Sequence, residues 1–227
     1  MAILSGNVIG NLRGRLGNLS ARTVEGRTIM SARPSSFNVN YGPAVLDVRH
    51  KFSVTVDLAQ AILSLDTLSA IWKTVKGAGM TVFNTIFKSN FAYSSTDRPT
   101  ENNIITPGGF SLPVDVVTLD LTKMTASLLA LSSEAAFTPD EVNVSANAVI
   151  CFHDQVNPAD PPYEVIALSK EIDGFNFDQP YNLQLDFDAK QKLVAEKYTK
   201  SIAYLIVASK NSSGKVIQYS ATSPKVG

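Results

Sequence analysis

Cys151, His153 and Asp154 are neighbours that combine side-chain types able to bind metals or transfer protons. Side chains two residues apart on a β-strand point to the same face, so the thiol and the imidazole could contact one metal ion. A structural zinc site needs four ligands, and the chain has one cysteine and only one further histidine, His50. The same strand face carries the polar residues Asn143, Ser145 and Asn147. We therefore expect a solvated strand end and no metal site.

Other catalytic motifs are missing from the sequence. Gly10, Gly14 and Gly17 are spaced G-x-x-x-G-x-x-G, which matches neither the dinucleotide-binding fingerprint nor a P-loop. Residues 173–178, DGFNFD, break the order of oxygen ligands in a calcium-binding EF-hand, so a turn is predicted there. Paired carboxylates for glycoside hydrolysis stay open, because the fold sets their separation, although the β region offers no Trp or Tyr platform for a sugar. We expect a non-enzymatic protein without a cofactor.

Residues 6–34 are rich in glycine and arginine and contain a single acid, Glu25. Residues 1–52 carry seven Lys/Arg against two Asp/Glu, whereas the remainder carries thirteen against eighteen, so a basic leader precedes an acidic body. Glycine loses much chain entropy on ordering, which predicts an arm that acquires its shape by docking on another chain. The predicted assembly residues are Arg13, Arg15, Arg22, Arg27, Arg33, Gly10, Gly14, Gly17 and Gly26. Nucleic-acid contact by these arginines is the alternative.

The arm and its linker occupy residues 1–42. Residues 18–24 and 27–33 flank Glu25 and Gly26, and a two-residue connection ending in glycine between β-branched runs predicts a β-hairpin. Upstream, Gly6, Gly10 and Gly14 are interpreted as a flexible connector.

Residues 43–95 show helical periodicity. Apolar residues recur every three or four positions from residue 45, Asp66 is a candidate helix N-cap, and Met80 opens a third segment. We expect a compact helical unit whose core contains Trp72 and the phenylalanines. The polar, turn-rich residues 94–109 then place the main domain boundary near residue 100.

Residues 100–227 change to a period of two, which is typical of β-strands with one buried face. Residues 201–209, SIAYLIVAS, are apolar on both faces and predict a central strand, whereas residues 188–200 predict a short surface helix. The predicted strands are 114–121, 125–131, 142–152, 163–170, 181–187, 202–209 and 215–220. The expected fold class is therefore α+β, with an N-terminal hairpin, a small helical region and an immunoglobulin-like antiparallel β-sandwich.

The N-terminal residues lack the apolar run of a secretory signal, and no run approaches the roughly 18 apolar residues of a membrane span. A single cysteine gives no internal disulfide and no argument for an oxidising compartment. We expect an intracellular protein when it is made, without a membrane span.

The motif G-N-L-x-G-x-x-G-N at residues 10–18, the run GRTIMSARP at residues 26–34 and the layout that follows resemble an uncharacterised family from Bacteroidota and their phages. Here Ser31 to Pro34 keep one arginine of the R-x-R-P ending found in that family. The resemblance implies an immunoglobulin-like domain, no reaction, and a virion part such as a decoration, minor capsid or tail-associated protein. Its partners would be other copies and other virion proteins, in the virion and, before assembly, in the host cytoplasm. A surface adhesion or carbohydrate-binding module and a nucleic-acid-binding protein are the alternatives.

Overall fold

The computed structural model describes residues 2–4, 14–24, 26–33, 36 and 41–227. Its contacts divide the chain into two compact units, Met1–Leu46 with Gly77–Gly79 and Asp47–Lys76 with Met80–Gly227. Four helices lie at α1 (Pro43–Leu63), α2 (Asp66–Val75), α3 (Val82–Phe91) and α4 (Ala189–Ala195) within these residues. The strands are β1 (Ala2–Leu4), β2 (Gly14–Leu16), β3 (Leu19–Val24), β4 (Arg27–Ala32), β5 (Val114–Leu119), β6 (Lys123–Leu128), β7 (Glu141–Gln155), β8 (Tyr163–Ile172), β9 (Tyr181–Asp186), β10 (Tyr198–Asn211), β11 (Val216–Tyr219) and β12 (Ser223–Val226).

The first unit contains a four-stranded antiparallel sheet in the order β1-β4-β3-β2. The predicted hairpin is confirmed: Val24 pairs with Arg27 across the turn, and Gly26 has a φ of +75°, which favours glycine. A second two-residue hairpin joins β2 to β3 through Gly17 and Asn18. Gly14 begins β2, so the connector interpretation is wrong at this position, while Gly6 and Gly10 lie outside the described residues.

The second unit contains an immunoglobulin-like sandwich, as predicted. One sheet has the order β5-β6-β9, and the other has the order β11-β10-β7-β8 with β12 also paired to β10. Counted from β5, strands one, two and five thus form one sheet, and strands three, four, six and seven form the other. This arrangement differs from a constant-type immunoglobulin domain in the sheet that takes the fourth strand and in the additional strand β12. The α+β fold class with a sandwich-like domain is confirmed.

Two hydrophobic cores cover the two faces of the larger sheet. Between the sheets lie large buried side chains such as Met124, Ile150 and Leu205. The opposite face is covered by the helices, which contribute Leu58, Ile62, Leu68 and Trp72. β10 is therefore buried on both faces, as its sequence predicts.

The helices do not form a compact unit with a core of their own, contrary to the expectation from sequence. The buried apolar side chains of the helices pack against β10 and β7. The segment after α3 forms hydrogen bonds with both the helices and the sheet. The Trp72 Nε1–H donates a hydrogen bond to the Ile105 carbonyl at 2.9 Å, and the Tyr204 hydroxyl donates to the Thr100 carbonyl at 2.6 Å. Helices and sandwich share one core because the outer face of the larger sheet is too apolar to face water.

The predicted phenylalanine core is confirmed only at its margin, because Phe83 is half-buried and packs against the core, while none of the phenylalanines of α1 and α3 is fully buried. The buried residues of α3 are Ile86 and Asn90, whereas Phe52 on α1 keeps 52% of its surface exposed. Phe87 packs on Phe52 with ring centroids 4.8 Å apart, which makes an aromatic cluster at the surface. The helical period in the sequence identified apolar helix faces, but it did not show which of two adjacent apolar faces packs against the sheet.

Helix boundaries follow local hydrogen bonding. Asp66 is the first residue of α2 rather than its N-cap, which is Leu65, so its carboxylate acts on the helix dipole instead of capping an N–H. The Thr81 hydroxyl accepts a hydrogen bond from the Asn84 N–H and caps α3, and Asp188 with Gln191 forms a capping box on α4. Within the described residues no single helix has the length and apolarity to cross a membrane, and α1 and α2 reach them only together, bent by 107°.

Candidate assembly surface

The residues that suggested metal chemistry are buried, which corrects the expectation of a solvated strand end. Cys151 has no exposed surface and His153 keeps only 3%. Burial raises the pKa of the Cys151 thiol to about 12, so the thiolate needed for nucleophilic attack is absent at neutral pH. No group of three or more His, Cys, Asp or Glu residues able to hold a metal ion occurs in the part of the chain described.

His153 and Asp154 form a charge cluster at the end of β7. The His153 Nδ1 lies 3.1 Å from the Asp154 carboxylate, and Lys200 Nζ donates to that carboxylate at 2.7 Å. The hydrogen bond from Lys200, followed by that from His153, lowers the pKa of Asp154 to about 2. Burial lowers the pKa of His153, which keeps its imidazole neutral at pH 7. These contacts join β7 to β10 and are structural.

The polar face of β7 is buried because helices cover it. Ser145 and Asn147 are 0% and 1% exposed. The Ser145 hydroxyl donates to the Glu171 carboxylate at 2.6 Å and lies 2.9 Å from the Thr67 hydroxyl of α2. The Thr67 contact joins this face to the covering helix, while the Asn147 side-chain amide donates to the Ser145 hydroxyl at 3.0 Å within the same strand.

Glu141, at the start of β7, is 4% exposed, and its carboxylate joins the loop before β7 to β10 and β11. Burial raises its pKa, but hydrogen bonds from Ser209, Thr138 and Gln218 outweigh this effect and leave the pKa below its ordinary value. The Thr138 N–H donates at 2.8 Å and the Gln218 side-chain amide at 3.0 Å. A buried carboxylate with this many donors stays charged and holds its surroundings in place.

The arginines of the N-terminal sheet gather on one of its faces. Partners in an antiparallel register lie on the same face, as do residues two apart along a strand. Arg15 pairs with Ser20, Arg22 pairs with Ile29, and Arg27 stands two residues before Ile29. Arg15, Arg22 and Arg27 therefore share one face, here named the arginine face, and all three are exposed.

The opposite face of this sheet carries apolar side chains. Leu19 pairs with Ala32, and Ala21 pairs with Met30, so these four residues form one surface, here named the apolar face. Among the side chains described in β2, β3 and β4, only Thr28 is buried. The sheet thus has a polarity pattern suited to packing on another layer, without the buried core that would stabilise it alone.

The remaining predicted assembly residues lie around this sheet or outside the described part. Gly14, Gly17 and Gly26 have φ values of +111°, +57° and +75°, which are glycine conformations at strand starts and turns. Arg33 follows β4, and its backbone N–H donates to the Asn18 carbonyl at 2.7 Å. Arg13 and Gly10 fall outside the described residues.

Comparisons with known proteins gave weak structural similarity and no family match. No protein-family model and no curated protein matches the sequence. Two structures of a beta-glucosidase from Kluyveromyces marxianus, one labelled with selenomethionine and one in complex with glucose, are similar at TM-scores of 0.20 and 0.17. Their identities are 10% and 12%, and each match covers 63% of this chain and 17% of the beta-glucosidase. Similarity at this level carries no argument about fold or activity.

Proposed function

We propose that this protein is a non-enzymatic structural subunit of a phage-like particle, assembled through its N-terminal sheet. The observation that carries the proposal is the composition of that sheet: one face bears three exposed arginines, the other bears apolar side chains, and only Thr28 is buried among the side chains described in β2, β3 and β4. A decoration, minor capsid or tail-associated protein needs a docking element of this kind.

Energetic considerations favour docking over an independent role for the sheet. Ordering a backbone residue costs on the order of 1 kcal/mol, and small sheets without a packed face are at best marginally stable in water. The outer strands β1 and β2 have three residues each, so the ladder hydrogen bonds at the edges are few. Burial of the apolar face on an adjacent subunit would supply the missing stabilisation.

The distribution of charge along the chain favours another copy of the same protein as the partner. The first 52 positions have five more bases than acids, since seven exceed two by five, and the remaining chain has five more acids than bases, since eighteen exceed thirteen by five. An assembly built from many copies therefore brings a basic surface to an acidic one. The arginine face also fits nucleic acid, which makes a nucleic-acid-binding protein the second candidate.

Removal of residues 1–34 tests the proposed function. The second unit contains both hydrophobic cores, so the truncated chain should fold and should remain monomeric in light scattering at concentrations where the full chain forms large species. Circular dichroism and a cooperative thermal transition verify that the truncated chain is folded. If the truncated chain forms the same large species, the N-terminal sheet is not the assembly element.

Steeply salt-dependent binding of DNA or RNA that is lost in the triple variant R15A/R22A/R27A would favour the second candidate. The control is K190A/K192A/K215A, which removes three exposed basic side chains of the second unit.

A further inference from the structure

One end of the sandwich, here named the acidic end, consists of two adjacent loops that carry acids and no bases. Residues 131–142 contain Glu134, Asp140 and the buried Glu141, and residues 173–181 contain Asp173 and Asp178, without a Lys, Arg or His in either range. Backbone hydrogen bonds hold the loops together, because the Ser132 N–H donates to the Phe177 carbonyl at 3.0 Å and the Phe175 N–H donates to the Val142 carbonyl at 2.9 Å. Four carboxylates are therefore exposed on one fixed surface.

An aromatic cleft of about 560 Å³ lies within the acidic end. Phe137 is half-buried on its wall and stacks on Phe177 with ring centroids 4.2 Å apart. Asp178 and Asn176 line the same cleft. A guanidinium group suits this environment, because it can lie over an aromatic ring while it donates hydrogen bonds to a carboxylate.

The network around Glu141 makes this surface rigid. Its carboxylate receives hydrogen bonds from Thr138 in one loop and from Gln218, which also donates to the Ala136 carbonyl at 2.8 Å. The Gly174 N–H donates to the Asn143 side-chain oxygen at 3.1 Å and fixes the second loop. A surface held in this way loses little conformational entropy when a partner binds.

We infer that the arginine face of one copy docks on the acidic end of a second copy. Three exposed guanidinium groups stand on one side of a flat sheet, and four exposed carboxylates with an aromatic cleft stand on one end of a sandwich, so the two surfaces match in charge and in chemistry. This inference rests on the proposed function, and it names the surface of the partner.

The contact is heterologous, because its two surfaces are different parts of the chain. Each copy offers one arginine face and one acidic end, so successive copies can join head to tail into a ring or a filament. This geometry gives a test that an isologous contact or a nucleic-acid site would fail.

Two full-length variants carry the test. The first, R15E/R22E/R27E, reverses the charge of the arginine face and keeps the acidic end. The second, E134Q/D140N/D173N/D178N, neutralises the acidic end and keeps the arginine face, with Glu141 left in place to preserve the fold. The matched control is D97N/E101Q/D115N/E196Q, which neutralises four exposed acids outside the two loops.

Sedimentation velocity measures the result after nuclease treatment. Each variant alone should assemble about 100-fold more weakly than the wild-type chain, while the control assembles normally. A mixture of the two variants should form one-to-one dimers and nothing larger, because only one intact contact is left between them. High salt should dissolve these dimers.

Every other pattern overturns the inference in an identifiable way. If only the arginine reversal weakens assembly, the sheet docks on a different surface, and the proposed function survives without this partner. If nuclease treatment alone dissolves the wild-type species, the arginine face contacts nucleic acid. If the chain without residues 1–34 also assembles, the proposed function itself fails.

Discussion

The two β regions of this chain differ in what covers them. β7 and β10 form the centre of a sheet with a second sheet on one face and three helices on the other, so both faces are buried. β3 and β4 form the centre of a sheet in which Thr28 is the one buried side chain among those described in β2 to β4. Both are antiparallel pairs, yet only the first lies in a sheet with a buried core on each face. The difference indicates which of the two described sheets is stabilised by its own packing.

The largest expected effect is a loss of unfolding free energy when the core of the second unit is disrupted. Trp72→Ala should destabilise the second unit by about 3–5 kcal/mol, because it leaves a large cavity between the helices and β10 and removes the donor to the Ile105 carbonyl. Urea unfolding followed by circular dichroism measures the loss. Phe52→Ala, at the exposed end of the aromatic cluster, should cost less than about 1 kcal/mol. Equal costs for the two changes would contradict the shared core of helices and sheet.

A medium effect concerns the buried charge that holds the acidic end. Glu141→Gln replaces one carboxylate oxygen by an amide donor that faces other donors, which should cost about 1–3 kcal/mol at pH 7. The folded-state pKa of Glu141 lies below its ordinary value of 4.5, so its contribution is present above pH 4.5 and is lost as the pH falls through the folded pKa.

The difference in unfolding free energy between the wild-type chain and the Gln variant should therefore shrink below pH 4.5. Asp140→Asn is the control, because it changes an exposed neighbouring acid and should shift stability by less than about 0.5 kcal/mol. A difference that stays constant from pH 7 to pH 3 would show that the charge of Glu141 is not what stabilises the loops.

The smallest effect on stability is expected on the apolar face. Met30→Asp should change the unfolding free energy of the dilute chain by less than about 0.5 kcal/mol, because Met30 has no buried core around it. The same change should weaken assembly in light scattering, since it places a charge on a surface that a partner must cover. Ile217→Asp, on the partly exposed face of β11, is the matched control and should leave assembly unchanged. Normal assembly of the Met30 variant would remove the apolar face from the contact.

Much of the fold was predictable because it depends on local sequence patterns. The Glu25-Gly26 turn predicted the hairpin, and alternation predicted seven of the eight strands of the sandwich within a few residues. The turn at Gly17 and Asn18 also carried a hairpin signal that could have been recognised. β12 was missed, and its Pro224 argues against a strand in sequence terms although the structure places it at a sheet edge.

The features that the sequence did not predict depend on contacts between distant segments of the chain. Ser145 and His153 have the polarity of solvated residues, and only the position of the helices shows that they are buried. The arginine face depends on the register of β3 against β2 and β4, which composition alone does not define. The acidic end requires two loops, one near residue 135 and one near residue 176, to meet in space.

Hydrogen–deuterium exchange on the full-length chain, in dilute and in assembled samples, shows whether the N-terminal sheet gains its stability from assembly. We expect the backbone amides of Leu19–Val24 and Arg27–Ala32 to exchange rapidly in the dilute chain and to become protected on assembly, whereas those of Tyr198–Asn211 are protected in both. Strong protection of the N-terminal strands in the dilute chain, unchanged by assembly, would contradict this expectation.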